Sequence, residues 1–484
     1  MERENAWKSY SDDDLAALET LAQGYIDFIS TCKTERECAA FAISLAEENG
    51  YVSLEQVIKE KRSLETGDRV WAHAHGKALM LVEIGSEPFE SGLNILGAHI
   101  DSPRLDIKQN PLFESNGFAL LDTHYYGGIK NYQWVTVPLA IHGVVAKKDG
   151  SVVDIVVGED AGDPVFCVTD LLIHLASKQM GKKGNEVVEG EDLDILVGNR
   201  PLVIEKDTAA TDAEAVSDEG DPVAKRAKLA EKEPVKAYLL DLLAAKYGIE
   251  EEDFLSAELE VVPAGAARDC GFDRSMVLGY GQDDRVCAYP SLLAQLALEE
   301  PAKTCVCILV DKEEIGSVGA TGMTSQFFEN TIAEIMALAG CPGDIPLRRT
   351  LAASSMLSSD VSAGFDPAYA GVFETKNSAF LGRGLVFNKY TGSRGKSGSN
   401  DASAEYMARI RTIMDGAGVA FQTAELGRVD AGGGGTIAYI PAKYGMDVID
   451  SGVPVLSMHS PWEVSSKADL FEAYKGYKSF LREA

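Results

Sequence analysis

LNILGAHID, residues 93–101, reads as a buried strand that runs out at His99, with Asp101 two residues on. Three further runs have the same form. CILVDKEEIGS (307–317), MLSSDVSAG (356–364) and VLSMHSP (455–461) are apolar stretches that end at Glu313 and Glu314, at Asp360 and at His459. A fifth segment, GYGQDDRVCAYPSL (279–292), sets Asp283 and Asp284 just before a helix. In open α/β sheets the ligand crevice lies outside the carboxyl ends of the strands, so five scattered segments can converge on one cleft.

Outward from these runs the chain alternates between strand and helix patterns. ELEVVPAG, TCVCILVD, TLAASSMLSS and PVLSMH read as strands. SLLAQLALEE, FFENTIAEIMALAG, ASAEYMARIRTIMDGAG and KADLFEAYKGYKSFL read as helices. Such alternation predicts an α/β layered sheet. Residues 11–62 are helical in pattern, opening on a serine and an acidic first turn. Residues 67–82 read as a hairpin. From 106 to 255 the texture is β-rich, as in WVTVPLAIHGVVAKKDGSVVDIVVG, where KKDG is a turn. Residues 205–234 are charged and poor in bulky apolar side chains, which predicts a solvated loop or local disorder. VKAYLLDLLAAKYGI then reads as a helix that stops at a glycine. The expected architecture is one α/β domain, residues 1–105 and 256–484, interrupted by a β-rich insert over 106–255.

Composition narrows the function class. At 484 residues, two domains are the sensible prior. Hydrophobic residues at 45% and charged residues at 25% suit a globular chain, and no apolar run reaches membrane-spanning length. The start, MERENAWKSYSDDD, has no apolar stretch behind a basic head, so the expected location is the cytosol. A net charge of −30 argues against nucleic acid and anionic membranes as partners. The eight cysteines form no CxxC pair, and free core thiols are expected.

Hard carboxylates with a few imidazoles are a ligand set for zinc, cobalt or manganese. Two such ions about 3.5–4 Å apart are a known device for cleaving peptide bonds. They require a bridging carboxylate, here Asp283 or Asp284. Asp101 can reach the second ring nitrogen of His99 and fix its tautomer. Glu313 and Glu314 lie where a strand ends, so both can face one cleft, one as ligand and one as general base for the attacking water. Each segment alone has an ordinary reading: a core histidine, a solvated turn. The coincidence of five carries the inference. His73 and His75 have no carboxylate cluster with them and read as structural, GSRGKS (392–397) lacks a phosphate-loop glycine at Tyr390, and Gly432–Gly435 reads as a loop that could let a backbone approach closely.

GAHIDSPRL, the DDR before a helix, DKEEIGS, SSDV with DP following, and MHS, in this order, resemble the aspartyl aminopeptidase family of metallopeptidases over nearly the whole chain, and DFLSAELEVVPAG and DRSMVLGYGQDDR are similar to its bacterial branch. The resemblance implies that His99 and Asp360 bind one metal, Glu314 and His459 the other, and that Asp284 bridges them. It implies Glu313 as general base and Asp101 as the residue that orients His99. It implies two divalent ions, most simply Zn2+ with Co2+ or Mn2+ as alternatives, and peptide substrates with a free N-terminus. It further implies that the insert is a dimerisation domain and that the chain is a homo-oligomer, with dimers assembling into dodecamers. His174, in DLLIHLA, matches a histidine lent to a neighbouring subunit's active site, and Lys389 a basic residue that contacts substrate. Against the eukaryotic pattern of that family, Ala363 stands where the resemblance places a substrate-contacting histidine and a tyrosine is replaced near Ser397; these departures count against the preference for acidic N-terminal residues and leave the hydrolytic machinery untouched. A two-metal carboxypeptidase or deacylase, and a non-catalytic cytosolic assembly, are the alternative readings.

Overall fold

In the computed structural model, residues 3–203 and 222–484 are described. The chain divides into two units, Met1–Ser102 with Ala266–Ala484, and Pro103–Gly265.

The first unit is built on a nine-stranded sheet. At its centre Cys305–Val310, Asn94–His99, Ser355–Ser359 and Asp447–Gly452 lie side by side and parallel. Val310 is level with His99, and Ser358 with Gly97, so these strands reach their carboxyl ends together. The expected hairpin forms from Arg69–Ala74 and Ala78–Glu83, which borders the parallel core antiparallel to Cys305–Val310.

Strands covered on both faces should read as continuous apolar runs, with alternate side chains entering opposite cores. Cys305, Cys307 and Leu309 enter one core, Val306, Ile308 and Val310 the other. Helices Asp12–Thr31, Glu35–Glu48, Gln282–Leu296, Ala404–Gly416 and Lys467–Glu483 cover the first face. Leu54–Glu60, Phe327–Leu338 and Asp344–Ala352 cover the second. The acidic start of the first long helix is a capping box between Ser11 and Asp14, which satisfies two otherwise unpaired backbone groups.

A five-stranded sheet in the same unit runs Arg268–Cys270, Met276–Gly279, Glu463–Ser466, Pro454–Leu456, Ser362–Ala363. The PVL run before His459 belongs here, not to the parallel sheet. In TLAASSMLSS only Ser355–Ser359 is strand, since its first residues finish the helix Asp344–Ala352.

The second unit carries a seven-stranded sheet. Its boundary falls after Gly265 rather than at 255, because Ala257–Pro263 pairs antiparallel along the whole of Leu139–Ala146. ELEVVPAG is therefore a strand of this sheet and not of the α/β one. The KKDG turn joins Leu139–Ala146 to Val152–Val157. Of the charged stretch 205–234, residues 205–221 lie outside the described residues, and the remainder includes the helix Pro222–Ala230. The helix Pro234–Tyr247 stops as expected at Gly248, whose φ of 65° is the left-handed cap a glycine takes most easily. Among the described residues, all eight cysteines are free. No described helix is long and apolar enough to cross a membrane.

Candidate metal centre

Two triplets of metal-capable groups form at the carboxyl ends of the parallel strands. One is His99, Asp283 and Asp360, and the other Asp283, Glu314 and His459. Asp283 belongs to both. Its Oδ1 lies 3.2 Å from His99 Nε2 and its Oδ2 3.2 Å from His459 Nε2. His459 Nε2 lies 3.5 Å from Glu314 Oε2.

The resemblance set Asp284 between the histidines, and the geometry puts Asp283 there instead. The reason is local backbone. Both aspartates have non-helical dihedrals at the start of Gln282–Leu296. Their carboxylates diverge. Asp284 is fully buried, and its Oδ2 accepts the His99 backbone amide at 3.3 Å.

His99 ends its strand with its ring fixed from behind. Its Nδ1 lies 3.0 Å from the Asp101 carbonyl and 3.2 Å from Asp101 Oδ1. Donation through Nδ1–H leaves the Nε2 lone pair facing Asp283 and Asp360. Asp101 also accepts the Glu313 amide on Oδ1 and the Glu314 amide on Oδ2, each at 3.2 Å. This holds the short turn Glu313–Ile315 that follows Cys305–Val310, so both glutamates face the cleft rather than alternating. Asp360 follows Ser355–Ser359, and its backbone lies so close to the next strand that a Cβ on Gly452 would overlap the Asp360 carbonyl. Only glycine fits there.

Electrostatics describe a site with too much negative charge. Burial, reinforced by Asp284 and Glu313, pushes the Asp360 carboxyl well above the ordinary range. Burial, with the Asp283 charge, does the same to Glu314. Burial, with Asp283 and Asp101, lifts Glu313 to about 7. Asp283 moves the other way: burial opposes ionisation, but hydrogen bonds from His459 and His99 hold it well below its usual value. For His99 burial disfavours the cation, and the Asp101 and Asp283 contacts overcome that and raise it well above 6.5. Glu314 Oε1 is buried with no hydrogen-bond partner. A buried unpaired carboxylate oxygen is costly unless a cation meets it. Imidazole and carboxylate donors at this spacing fit zinc-type divalent ions.

Sequence reasoning missed Glu463. Its Oε1 accepts the His459 amide at 2.7 Å and its Oε2 the Asp283 amide at 3.1 Å. It stands four residues after His459 and opens the strand Glu463–Ser466, a placement visible only once the five-stranded sheet is known. Ser102 was also missed, and its hydroxyl donates to the Asp283 carbonyl at 2.7 Å. Of the other expected residues, Lys389 is engaged by Asp401, Nζ to Oδ1 at 2.5 Å, with Lys396 on the other oxygen at 3.0 Å. His174 belongs to the second unit, in the exposed 3-10 turn Ile173–Leu175. His73 is structural, its Nδ1 accepting the Gly76 amide at 3.1 Å.

A family sequence model described as aminopeptidase I zinc metalloprotease (M18) matches residues 28–481. A probable M18 family aminopeptidase 1 of Clostridium acetobutylicum is 57% identical over 480 residues, covering 99% of this chain and 98% of the relative. The crystal structure of an M18 family aminopeptidase from Thermotoga maritima matches with a TM-score of 0.90 at 42% identity, covering 100% of both chains. The S. cerevisiae mApe1 dodecamer structure is 21% identical, covers 96% of each chain at a TM-score of 0.73, and shares the fold.

Proposed function

The chain belongs to the M18 family of aminopeptidase I zinc metalloproteases and is a metallo-aminopeptidase, and we propose that it works with two divalent ions bridged by Asp283. His99 and Asp360 would complete one site, Glu314 and His459 the other. The observation that carries this reading is the position of Asp283, 3.2 Å from the ring nitrogens of both histidines. Zinc suits the donors best, with cobalt or manganese as substitutes.

Bound ions would polarise the scissile carbonyl and make a water acidic enough to attack near neutral pH. Glu313 takes the proton of the attacking water and passes it to the leaving amine. Asp101 keeps the His99 tautomer and the Glu313–Glu314 turn in place. The substrate is a peptide with a free N-terminus, and acidic first residues are the proposed preference, with Lys389 as the basic contact. The second unit would serve as a dimerisation domain and His174 would reach a neighbouring subunit's site. Assembly into a dodecamer, as named for the yeast protein, and a cytosolic location complete the proposal.

A panel of aminoacyl reporters tests it: Asp and Glu against Lys, Leu and Ala, each with zinc, cobalt and manganese, and each with an N-acetylated twin. Free-amine reporters should turn over and acetylated ones should not. Cleavage of the acetylated twins would favour a deacylase instead. An acidic preference requires higher kcat/KM for Asp and Glu than for Leu, and equal values would remove it.

A further inference from the structure

We propose that Glu463 is a positioning residue of the metal centre: one buried carboxylate fixes the backbones of Asp283 and His459, and so sets how their donor atoms stand towards one ion. The proposal rests on the two-ion reading above.

Neither oxygen of Glu463 is directed to a ligand side chain by its hydrogen bonds. Oε1 accepts the His459 amide at 2.7 Å and Oε2 the Asp283 amide at 3.1 Å. The two ligands come from segments 176 residues apart, at 283 and 459 in the chain, and this carboxylate joins them directly. His459 needs such a hold. Its φ of 66° is left-handed, a conformation L-residues adopt rarely and keep only when neighbours impose it. Ser457, two residues earlier, is also left-handed at 60°.

Glu463 is itself buried and its backbone is held. It is 1% exposed, and its strand pairs it with Gly279. Gln282, wholly buried, donates from Nε2 to the Glu463 carbonyl at 2.6 Å. The Gln282 Oε1 accepts from Ser465 and from Tyr25. A backbone so held, carrying a buried side chain, leaves little room to compensate for a lost oxygen. Asp101 does the equivalent for the Glu313–Glu314 turn, accepting two amides on two oxygens. The centre therefore has two such clamps.

The clamps differ in consequence. Asp283 keeps a second anchor, the Ser102 hydroxyl on its carbonyl. The His459 turn is closed by the Ser460 amide on the Ser457 carbonyl, and within it Glu463 holds the amide of the ligand itself, whose left-handed φ makes its ring direction sensitive to that hold. Loss of the clamp should therefore weaken the ion on Asp283, Glu314 and His459 more than the ion on His99, Asp283 and Asp360.

Glu463→Gln tests this, because an amide nitrogen would oppose one backbone N–H while the shape is kept. Metal-free full-length protein is titrated with Zn2+ by calorimetry. Wild type should take up two ions. E463Q should bind one ion at wild-type strength and the other about 10–100-fold more weakly, the usual effect of removing a group that orients a ligand. Turnover of E463Q should be low at limiting zinc and recover at high zinc, with KM unchanged at saturation. E463D, which keeps a carboxyl group one methylene further from the two amides, should fall between, and carries the same test if E463Q does not fold. Two unchanged binding steps, or two steps weakened alike, would overturn the proposal, as would a lowered unfolding temperature of the metal-free protein without a change in relative affinities. A wild type that binds fewer than two ions would sink the two-ion reading instead.

Discussion

The Asp101 carboxylate accepts the Glu313 backbone amide at 3.2 Å, and the same oxygen stands 3.2 Å from His99 Nδ1. One fully buried side chain thus couples a histidine at the end of one strand to the glutamate turn at the end of its parallel neighbour. Asp101→Asn keeps the volume and removes one acceptor, setting an amide nitrogen against a backbone N–H or the ring. The expected result is a zinc affinity lower by about 10–100-fold and a matching loss of kcat at limiting metal. Calorimetry and steady-state rates check it. Wild-type affinity in D101N would mean the ring is held by the Asp101 carbonyl alone.

Glu313 is lifted to about 7 by burial and by the Asp283 and Asp101 charges. A general base acts ionised, so kcat/KM should rise with pH as Glu313 loses its proton and flatten above that point. Cations beside it favour the ionised form, so the midpoint in the metal-loaded enzyme should lie below the metal-free value. Glu313→Gln should retain both ions by elemental analysis and lose about 10²–10⁴-fold in kcat. Its residual rate should lack the acid limb. A fully active E313Q would remove the residue from the chemistry.

Asp283 and Asp284 are neighbours with different work, which a pair of isosteric substitutions separates. Asp283→Asn should abolish tight uptake of both ions, because both triplets share that carboxylate. Asp284→Asn should be milder. Burial pushes Asp284 well above the ordinary carboxylate range, and an amide oxygen can still accept from the His99 backbone. Zinc stoichiometry after dialysis distinguishes them. If D284N loses both ions and D283N keeps them, Asp284 is the bridging ligand, as the resemblance implied.

These cases show where sequence reading succeeds. Asn94–His99 and Cys305–Val310 were legible because parallel strands covered on both faces are continuous apolar runs, and a polar residue at or just after their end stands out; Ser355–Ser359 is legible from Met356 and Leu357 ahead of Asp360. The choice between Asp283 and Asp284 was not, because it depends on dihedrals imposed by packing at the start of a helix. Asp447–Gly452 is a central strand that was not picked out, because Val448 and Ile449 lie between two aspartates and no metal-capable residue marks its end. Glu463 looks like any strand glutamate until Pro454–Leu456 and Glu463–Ser466 pair and fold it back onto His459. The insert boundary slipped because ELEVVPAG is an apolar strand in either sheet, and only its partner Leu139–Ala146 decides.

Zinc binding and folding should both depend on pH through the same donors. In the metal-free protein, burial and neighbouring carboxylates raise Asp360 and Glu314, and the Asp101 and Asp283 contacts raise His99 against the opposing effect of burial. A metal binds only deprotonated donors, so uptake near pH 6.5 should release protons, and apparent affinity should rise with pH. Calorimetry in two buffers of different ionisation enthalpy counts the protons, with more released at pH 6.5 than at pH 8. The stability consequence has a definite sign. For Asp360 and Glu314 the folded chain holds protons more tightly than the unfolded chain, whose groups titrate at 3.8 and 4.5. Their contribution is fully present below those values and is lost as pH rises through the raised folded ones. Asp283, held low by the two histidines, contributes in the opposite sense and loses its share only in acid. The metal-free protein should therefore lose stability as pH rises above the carboxylate range, and added zinc should restore it most at the alkaline end. Metal-free unfolding temperatures that climb steadily from pH 5 to pH 8 would mean the three raised donors are not the crowded, cation-seeking groups described above.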